Sequence, residues 1–137
     1  MSIEATREVV TAYLQNHGDP NFVAEDAVFT DMGIGQEYRG REAIAQSLEY
    51  IYHQAFEARP EVHSTVIADG HAVAEGEFVG RHIGEFAGIP ATGREVRVPI
   101  CVAYDVESDQ ITRARIYLLA SVLMQQLGAM PEPAHAG

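Results

Sequence analysis

Apolar and polar residues alternate along two long stretches in the last third of the chain. Residues 95–106 and 111–119 each place every second side chain on an apolar face, and the polar turn Glu107-Ser108-Asp109-Gln110 separates them. Alternation on both sides of a short turn predicts two antiparallel strands joined as a hairpin.

Shorter alternating stretches predict three further strands. Residues 61–68 and 72–81 flank Asp69-Gly70, a dipeptide that favours a tight hairpin turn. Residues 27–31 are β-prone, and the glycine-containing stretch 32–40 after them is predicted to be a loop.

Apolar residues recur at helical spacing elsewhere in the chain. Residues 41–56 are predicted to form the clearest helix, because Ile44, Leu48 and Ile51 lie on one face, and Pro60 is expected to prevent its continuation. Three other helices are predicted. One begins after the N-cap Ser2, a short one begins at Asp19-Pro20, and a third ends at Gly128. Helices followed by mainly antiparallel strands predict an α+β fold with one domain at 1–128 and a disordered tail at 129–137.

Composition and charge narrow the functional classes. The chain has 137 residues, one cysteine and a net charge of -11, which argues against nucleic acid and anionic membrane surfaces as partners. No apolar run approaches the roughly 20 residues that span a bilayer, so we expect a cytoplasmic protein. The six histidines show no metal-ligand spacing, and no nucleotide-binding glycine pattern occurs, so we expect no metal and no cofactor.

A glycine-rich segment precedes the long hairpin and carries a specific pattern. It contains Gly80, His82, Gly84, Phe86, Gly88, Pro90, Thr92, Gly93 and Arg94, and the chain later has Gln126, Leu127 and Gly128. This pattern resembles the SnoaL-like polyketide cyclases of the nuclear transport factor 2-like superfamily. The resemblance implies a cone formed by a curved, mixed or antiparallel sheet around N-terminal helices, with a ligand pocket inside.

Strand alternation indicates which side chains would face that pocket. Val102 and Tyr104 share one face of the first hairpin strand, and Ile116 and Leu118 share the apolar face of the second. The family resemblance places a catalytic aspartate at Ile116 and a histidine at Val102. Neither aliphatic side chain accepts a proton, so the family's aldol-cyclase mechanism is not expected to apply unchanged.

Two other residues are the candidates for acid–base chemistry. Asp31 ends a predicted strand where the ketosteroid isomerases, another branch of the fold, have their aspartate base. Tyr13 lies where those enzymes have an oxygen-binding tyrosine. Alternatively, Asp31 only caps the Met32-Gly33 turn, and Tyr13 is a core residue.

His53 and Glu77 complete the candidate substrate-binding set. His53 lies near the end of the long predicted helix, where it would line the pocket mouth or simply complement the helix dipole. Glu77 shares a strand face with Glu75, and that face would line the pocket or be solvated.

The sequence thus favours an enzyme, a cofactor-independent cyclase or isomerase acting on a hydrophobic polyketide- or terpenoid-like molecule. A non-catalytic small-molecule-binding protein is the alternative, and a scaffold with a filled cone is a third reading. The row Arg113, Arg115 and Tyr117 on the outer strand face, together with the pairing of relatives, favours a homodimer.

Overall fold

The computed structural model describes residues 2–17 and 19–129, which fold into three α-helices and one six-stranded sheet. The helices are α1 (Ile3–Gln15), α2 (Arg41–Glu49) and α3 (Ala120–Gln126). The strands are β1 (Val23–Asp31), β2 (Gln36–Arg39), β3 (Phe56–Ala68), β4 (His71–His82), β5 (Glu95–Glu107) and β6 (Gln110–Leu118). A 3-10 turn at Pro20–Phe22 precedes β1, and a π-helical segment at Tyr50–Ala55 follows α2.

The sheet is mixed, and its strand order is β2-β1-β6-β5-β4-β3. Only the β1–β6 pair is parallel, whereas the predicted hairpins β3–β4 and β5–β6 are antiparallel. The sheet curves without closing into a barrel, and the helices occupy its concave side. The predicted α+β class and cone-shaped architecture are therefore confirmed.

Local sequence signals position the first helix and turn. The Ser2 hydroxyl accepts a hydrogen bond from the Ala5 N–H at 3.0 Å, as an N-cap should. Thr6 is fully buried, and its hydroxyl oxygen accepts the Gly70 N–H at 2.9 Å. This bond ties α1 to the β3–β4 turn, so the helix is held across one end of the sheet.

Several predicted boundaries differ from the structure, including the starts of β1 and β3, which lie four and five residues before the predicted ones. The stretch 32–40 is not only a loop, because Gln36–Arg39 pairs with the end of β1. The predicted helix 41–56 is α-helical only to Glu49 and continues as a π-helical segment. Pro60 does not stop that helix, since β3 already begins at Phe56 and Pro60 lies within it. A proline is tolerated there because β3 is an edge strand.

Two apolar clusters fill the concave side of the sheet. One joins α1, β1 and the turn-proximal ends of β4, β5 and β6, with Val10 and Ile111 fully buried. The other lies under the π-helical segment and α3, around Phe56, Phe78 and Leu123. Of the tail predicted to be disordered, residues 130–137 lie outside the described part of the chain. None of the described helices is both long and apolar enough to span a membrane.

Candidate functional site

A cavity of about 240 Å³ lies between the concave face of the sheet and the elements α1, α2 and the π-helical segment. Its lining is mainly aromatic and aliphatic. The lining residues are Tyr13, His17, Phe29, Asp31, Ile34, Tyr38, Ser47, Leu48, Tyr50, Ile51, Tyr52, Phe78, Phe86, Ile100, Val102, Tyr104, Ile116 and Leu118. A larger depression of about 590 Å³ lies on the outer surface, but charged side chains such as Arg59, Glu95 and Arg97 line it and it opens to solvent.

The sheet wall of the cavity comes from alternate residues of β5 and β6. Val102 pairs with Ile116, and both side chains line the cavity, as does Leu118 one alternation further. Tyr104 lines the same wall and is almost fully buried, with 3% of its surface exposed. The structure thus brings these four predicted residues together at the base and side of one cavity.

Asp31 lies at the end of β1, beside Ile116 of the parallel neighbour β6. One carboxylate oxygen, Oδ1, accepts the Gly33 N–H at 2.9 Å, so Asp31 does cap its turn. It also lines the cavity and is only half-buried, and its Oδ2 accepts no hydrogen bond from the described residues. The capping and the cavity-lining interpretations therefore hold for the same side chain.

Tyr13 lies on α1 and is 1% exposed. Its ring meets the Tyr104 ring edge-on at a centroid distance of 5.8 Å. Burial, with a smaller contribution from Tyr52, raises the pKa of Tyr13. Its hydroxyl therefore stays protonated as a donor, and it makes no hydrogen bond within the described part of the protein.

His17 also lines the cavity, and sequence reasoning did not single it out. It lies just past the end of α1, and its ring centroid is 5.5 Å from that of Tyr13. Its ring packs edge-on against Tyr52 at 4.7 Å. Burial, followed by the positive charge that His53 can carry, lowers the pKa of His17 to about 4. At neutral pH His17 is thus an uncharged imidazole that can accept a proton or a hydrogen bond.

Two predicted site residues do not line this cavity. His53 follows Tyr52 in the π-helical segment and is exposed. Glu77 points its carboxylate to the outer face of β4, where Oε1 lies 2.9 Å from His63 Nε2 and 2.8 Å from Arg97 Nη1. Hydrogen bonds from His63 and then Arg97 lower the pKa of Glu77. The alternation that buries Ala74, Gly76 and Phe78 is what sends Glu77 outward.

The outer cluster around Glu77 also involves Glu61. Single ligand atoms of Glu61, His63 and Glu77 lie within 4.8 Å of one another. Sequence spacing did not reveal this grouping because its members come from two paired strands. The Arg97 guanidinium bonds both carboxylates, at 3.2 Å for Glu61 and 2.8 Å for Glu77, and so supplies the positive charge that they need.

The glycine-rich segment closes one side of the cavity mouth. Tyr50 donates its hydroxyl to the Glu85 carbonyl oxygen at 2.6 Å, and Phe86 lines the cavity beside it. His82 anchors this segment, because it is fully buried and its Nδ1 accepts the Thr92 N–H at 3.2 Å. Its Nε2 has no partner among the described residues. His82 is thus a structural residue of the loop rather than part of the cavity.

Comparisons with known proteins agree with this architecture. The sequence profile of the family described as SnoaL-like polyketide cyclase matches residues 6–127. No curated protein matches the chain at a significant level.

Many solved structures share the fold. One is a protein of Jannaschia sp. CCS1, provisionally named a SnoaL-like polyketide cyclase, with 17% identity over 93% of this chain and 94% of that one and a TM-score of 0.80. A Xanthomonas campestris pv. campestris protein, provisionally named a polyketide cyclase, is 25% identical over 90% and 97% of the two chains, with a TM-score of 0.78. A phenazine biosynthesis-related protein from Pseudomonas aeruginosa is 18% identical over 98% and 88%, also with a TM-score of 0.78.

Proposed function

Because the chain belongs to the SnoaL-like polyketide cyclase family, we propose that it cyclises or isomerises a hydrophobic small molecule of polyketide or terpenoid type without a cofactor. The reaction takes place in the cavity between the sheet and the helices. The observation that carries this proposal is that Asp31 and Tyr13, a carboxylate and a neutral phenol, line one largely apolar cavity.

Proton transfer next to a carbonyl group is the chemistry that these two residues support. Asp31 removes a proton from a carbon beside the carbonyl, and the electron pair of the broken C–H bond moves onto the carbonyl oxygen. The Tyr13 hydroxyl donates a hydrogen bond to that oxygen and stabilises its developing charge. Return of the proton to a different carbon isomerises the substrate. Attack of the enolate carbon on a second carbonyl carbon closes a ring instead, and the alkoxide formed there takes the proton back from Asp31.

The apolar walls assist by holding the substrate in a reactive conformation. Val102, Ile116 and Leu118 contribute shape and exclude water but carry no proton. His17, the uncharged imidazole beside Tyr13, is available to accept the proton when the reaction needs a second carrier. This arrangement replaces the acid–base pair that the family's cyclases have at the positions of Ile116 and Val102.

The cavity volume limits the size of the substrate. A cavity of roughly 150 Å³ holds one benzene ring, so a volume of about 240 Å³ suits a compact molecule of one or two rings. Larger polycyclic substrates would require the mouth to widen.

Turnover of small cyclic β,γ-unsaturated ketones and of linear diketones, followed by chromatography, tests the proposal. Asp31→Asn should lower kcat at least about a hundredfold and Tyr13→Phe less strongly, because general acid–base groups typically contribute that much. Asp26→Asn is the matched control, since Asp26 is an exposed carboxylate on the same strand. Equal loss in Asp26→Asn and Asp31→Asn, or turnover unaffected by Asp31→Asn, would contradict the assignment.

A non-catalytic small-molecule-binding protein is the second candidate. The aliphatic side chains of Val102 and Ile116, where the family's cyclases carry the acid–base pair, favour it. Tight binding of these ketones without any product, in wild type and in Asp31→Asn alike, would establish this alternative.

A further inference from the structure

The charge of the cavity lining is unusual for a pocket that binds only neutral hydrocarbons. All nine basic residues of the chain are arginines, and none of them lines the cavity. Asp31 is the one lining residue with a formal charge at neutral pH, because His17 is uncharged there. The cavity therefore presents a negative potential, which the net charge of -11 reinforces.

Aromatic rings form a continuous wall along one side of this cavity. Neighbouring ring centroids lie 4.7 to 5.8 Å apart along the series, and their planes are inclined by 52° to 72°. We call this wall the aromatic arc, and its members are Tyr104, Tyr13, His17, Tyr52 and Phe78. All five residues line the cavity, and successive rings are strongly inclined to one another.

The polar atoms of the arc have no other partners. The hydroxyls of Tyr13, Tyr52 and Tyr104 make no hydrogen bond within the described residues. Burial raises the pKa of all three, so they remain neutral. Tyr38 of β2 adds a further phenol to the lining, and five of the six tyrosines of the chain thus meet here.

We propose that this cavity binds a compact organic cation, a tertiary or quaternary ammonium group carried on an apolar body. The aromatic arc would hold the cation through cation–π attraction, and Asp31 would supply the opposing charge. A ring face contributes about 0.5–2 kcal/mol of attraction to a cation, depending on how far the contact is desolvated. This assignment rests on the proposed function, because it names the substrate class of the same cavity.

An anionic ligand fits this lining poorly. It would meet the Asp31 carboxylate and the negative faces of the rings without any arginine or lysine to compensate. A neutral ligand would contact the apolar walls but would gain no electrostatic attraction from Asp31 or from the aromatic arc. Charge is therefore the property on which ligands should be discriminated.

Choline and 3,3-dimethylbutan-1-ol form a matched pair of probes, since they share shape and differ in the positive charge. Binding of each is followed by NMR shifts of the tyrosine ring resonances. Choline should bind at least about tenfold more tightly, equivalent to roughly 1.4 kcal/mol. Equal or weaker binding of choline, or no shift of any cavity tyrosine with either probe, would overturn the proposal.

Two variants separate a local effect from a general one. Asp31→Asn should lower the preference for choline by more than half, whereas Asp26→Asn makes the same change in net charge away from the cavity and should leave it intact. An equal loss in both aspartate variants would show that the overall charge of the protein, and not this cavity, selects cations.

Failure here can be distinguished from failure of the proposed catalysis, because the probes report binding without turnover. A protein that converts neutral ketones but does not prefer choline refutes the cation site alone. One that prefers choline but converts no ketone refutes the catalytic assignment alone.

Discussion

At the scale of single residues, His17 couples the cavity to pH. Burial lowers the pKa of His17 from the ordinary 6.5 to about 4 in the folded protein, and His53 is a smaller cause. The rings of Tyr13 and Tyr52 pack against the imidazole. Between these two values the unfolded chain binds a proton that the folded protein does not. The free energy of unfolding should therefore fall as the pH decreases from about 6.5 to about 4, by at most about 3 kcal/mol.

Replacing His17 by Phe should remove this contribution while preserving the ring contacts. Urea unfolding measured at a series of pH values should then show an acid limb that is shallower than in wild type. His53→Gln keeps His17 in place and should retain most of the acid limb, because His53 is the smaller cause of the lowered pKa of His17. An unchanged slope in His17→Phe would show that His17 is already solvated in the native state.

Asp31 and Tyr13 were candidates because they lie where the ketosteroid isomerases have their base and oxygen-binding tyrosine, and both line the cavity. His17 was missed because it follows the non-helical C-cap Asn16, so the helical repeat of α1 does not place its side chain. Glu77 could have been placed outward from sequence, since the small and apolar residues Ala74, Gly76 and Phe78 alternate with it. The strand face on which a residue such as Glu77 lies therefore decides whether its side chain can reach the cavity.

At the scale of elements, two glycines of β4 allow β3 to fold closely over the concave side. A Cβ at Gly76 would lie 2.0 Å from the Glu61 carbonyl oxygen, and one at Gly80 would lie 2.4 Å from that of Glu57. No side-chain rotation relieves contacts with backbone atoms. The curvature of this end of the sheet therefore depends on Gly76 and Gly80 having no side chain.

Gly76→Ala should destabilise the protein by about 2 kcal/mol or more, because the backbone of β3 has to move away. Chemical denaturation measures this loss. Gly33→Ala serves as the comparison, since its Cβ would lie 3.3 Å from the movable Asp31 Oδ1 and at an ordinary 3.5 Å from the Leu118 carbonyl oxygen, and should cost less than about 1 kcal/mol. Similar losses in the two variants would contradict this account of the curvature.

The hydrogen bond from Tyr50 to the Glu85 carbonyl oxygen joins the π-helical segment to the glycine-rich loop at the cavity mouth. Tyr50→Phe removes this bond but keeps the ring. Amide hydrogen exchange across residues 83–94 should become about five- to tenfold faster, since a lost bond of this type changes the opening free energy by roughly 1 kcal/mol. Exchange in the β3–β4 turn reports any global effect and should not change.

Element types were easier to predict than their ends. Alternation located the two long hairpins, but it did not reveal β2, whose four residues are mostly polar and exposed. The helical repeat located α2, yet a periodic pattern does not distinguish an α-helix from the π-helical turn that follows Glu49. Pro60 was misjudged because the restriction that a proline imposes depends on whether its strand lies at an edge, which is a property of the finished sheet.

At the scale of the whole molecule, the concave side of the sheet is covered by helices and the outer side is not. The volume and aromatic lining of the cavity arise from sheet curvature and from contacts between distant segments, so composition alone could not predict them. The family pattern in residues 80–94 predicted the architecture through the resemblance that it carries. What it could not indicate is which other side chains line the cavity.

The uncovered side of the sheet has an apolar strip between two groups of ion pairs. Val66 pairs with Val73, and their side chains are 65% and 40% exposed. Tyr117, 46% exposed, lies on β6 in the next row of the same side, which also contains the exposed Glu75. On one flank Arg59 and Arg97 pair with Glu61 and Glu77, and on the other Asp105 pairs with Arg115 and His71, so positive and negative charges balance on each flank.

This strip is where we expect two copies of the chain to pair, because its flanks carry little unbalanced charge and an exposed apolar surface gains by burial. A stable pair would bury about 1,200–2,000 Å² in total. Sedimentation velocity should give twice the monomer mass for wild type, and Val73→Glu should shift it towards monomer. Gln15→Glu adds the same charge on the exposed side of α1 and should remain dimeric. A monomeric wild type, or a dimer that survives Val73→Glu, would exclude this face as the contact between copies.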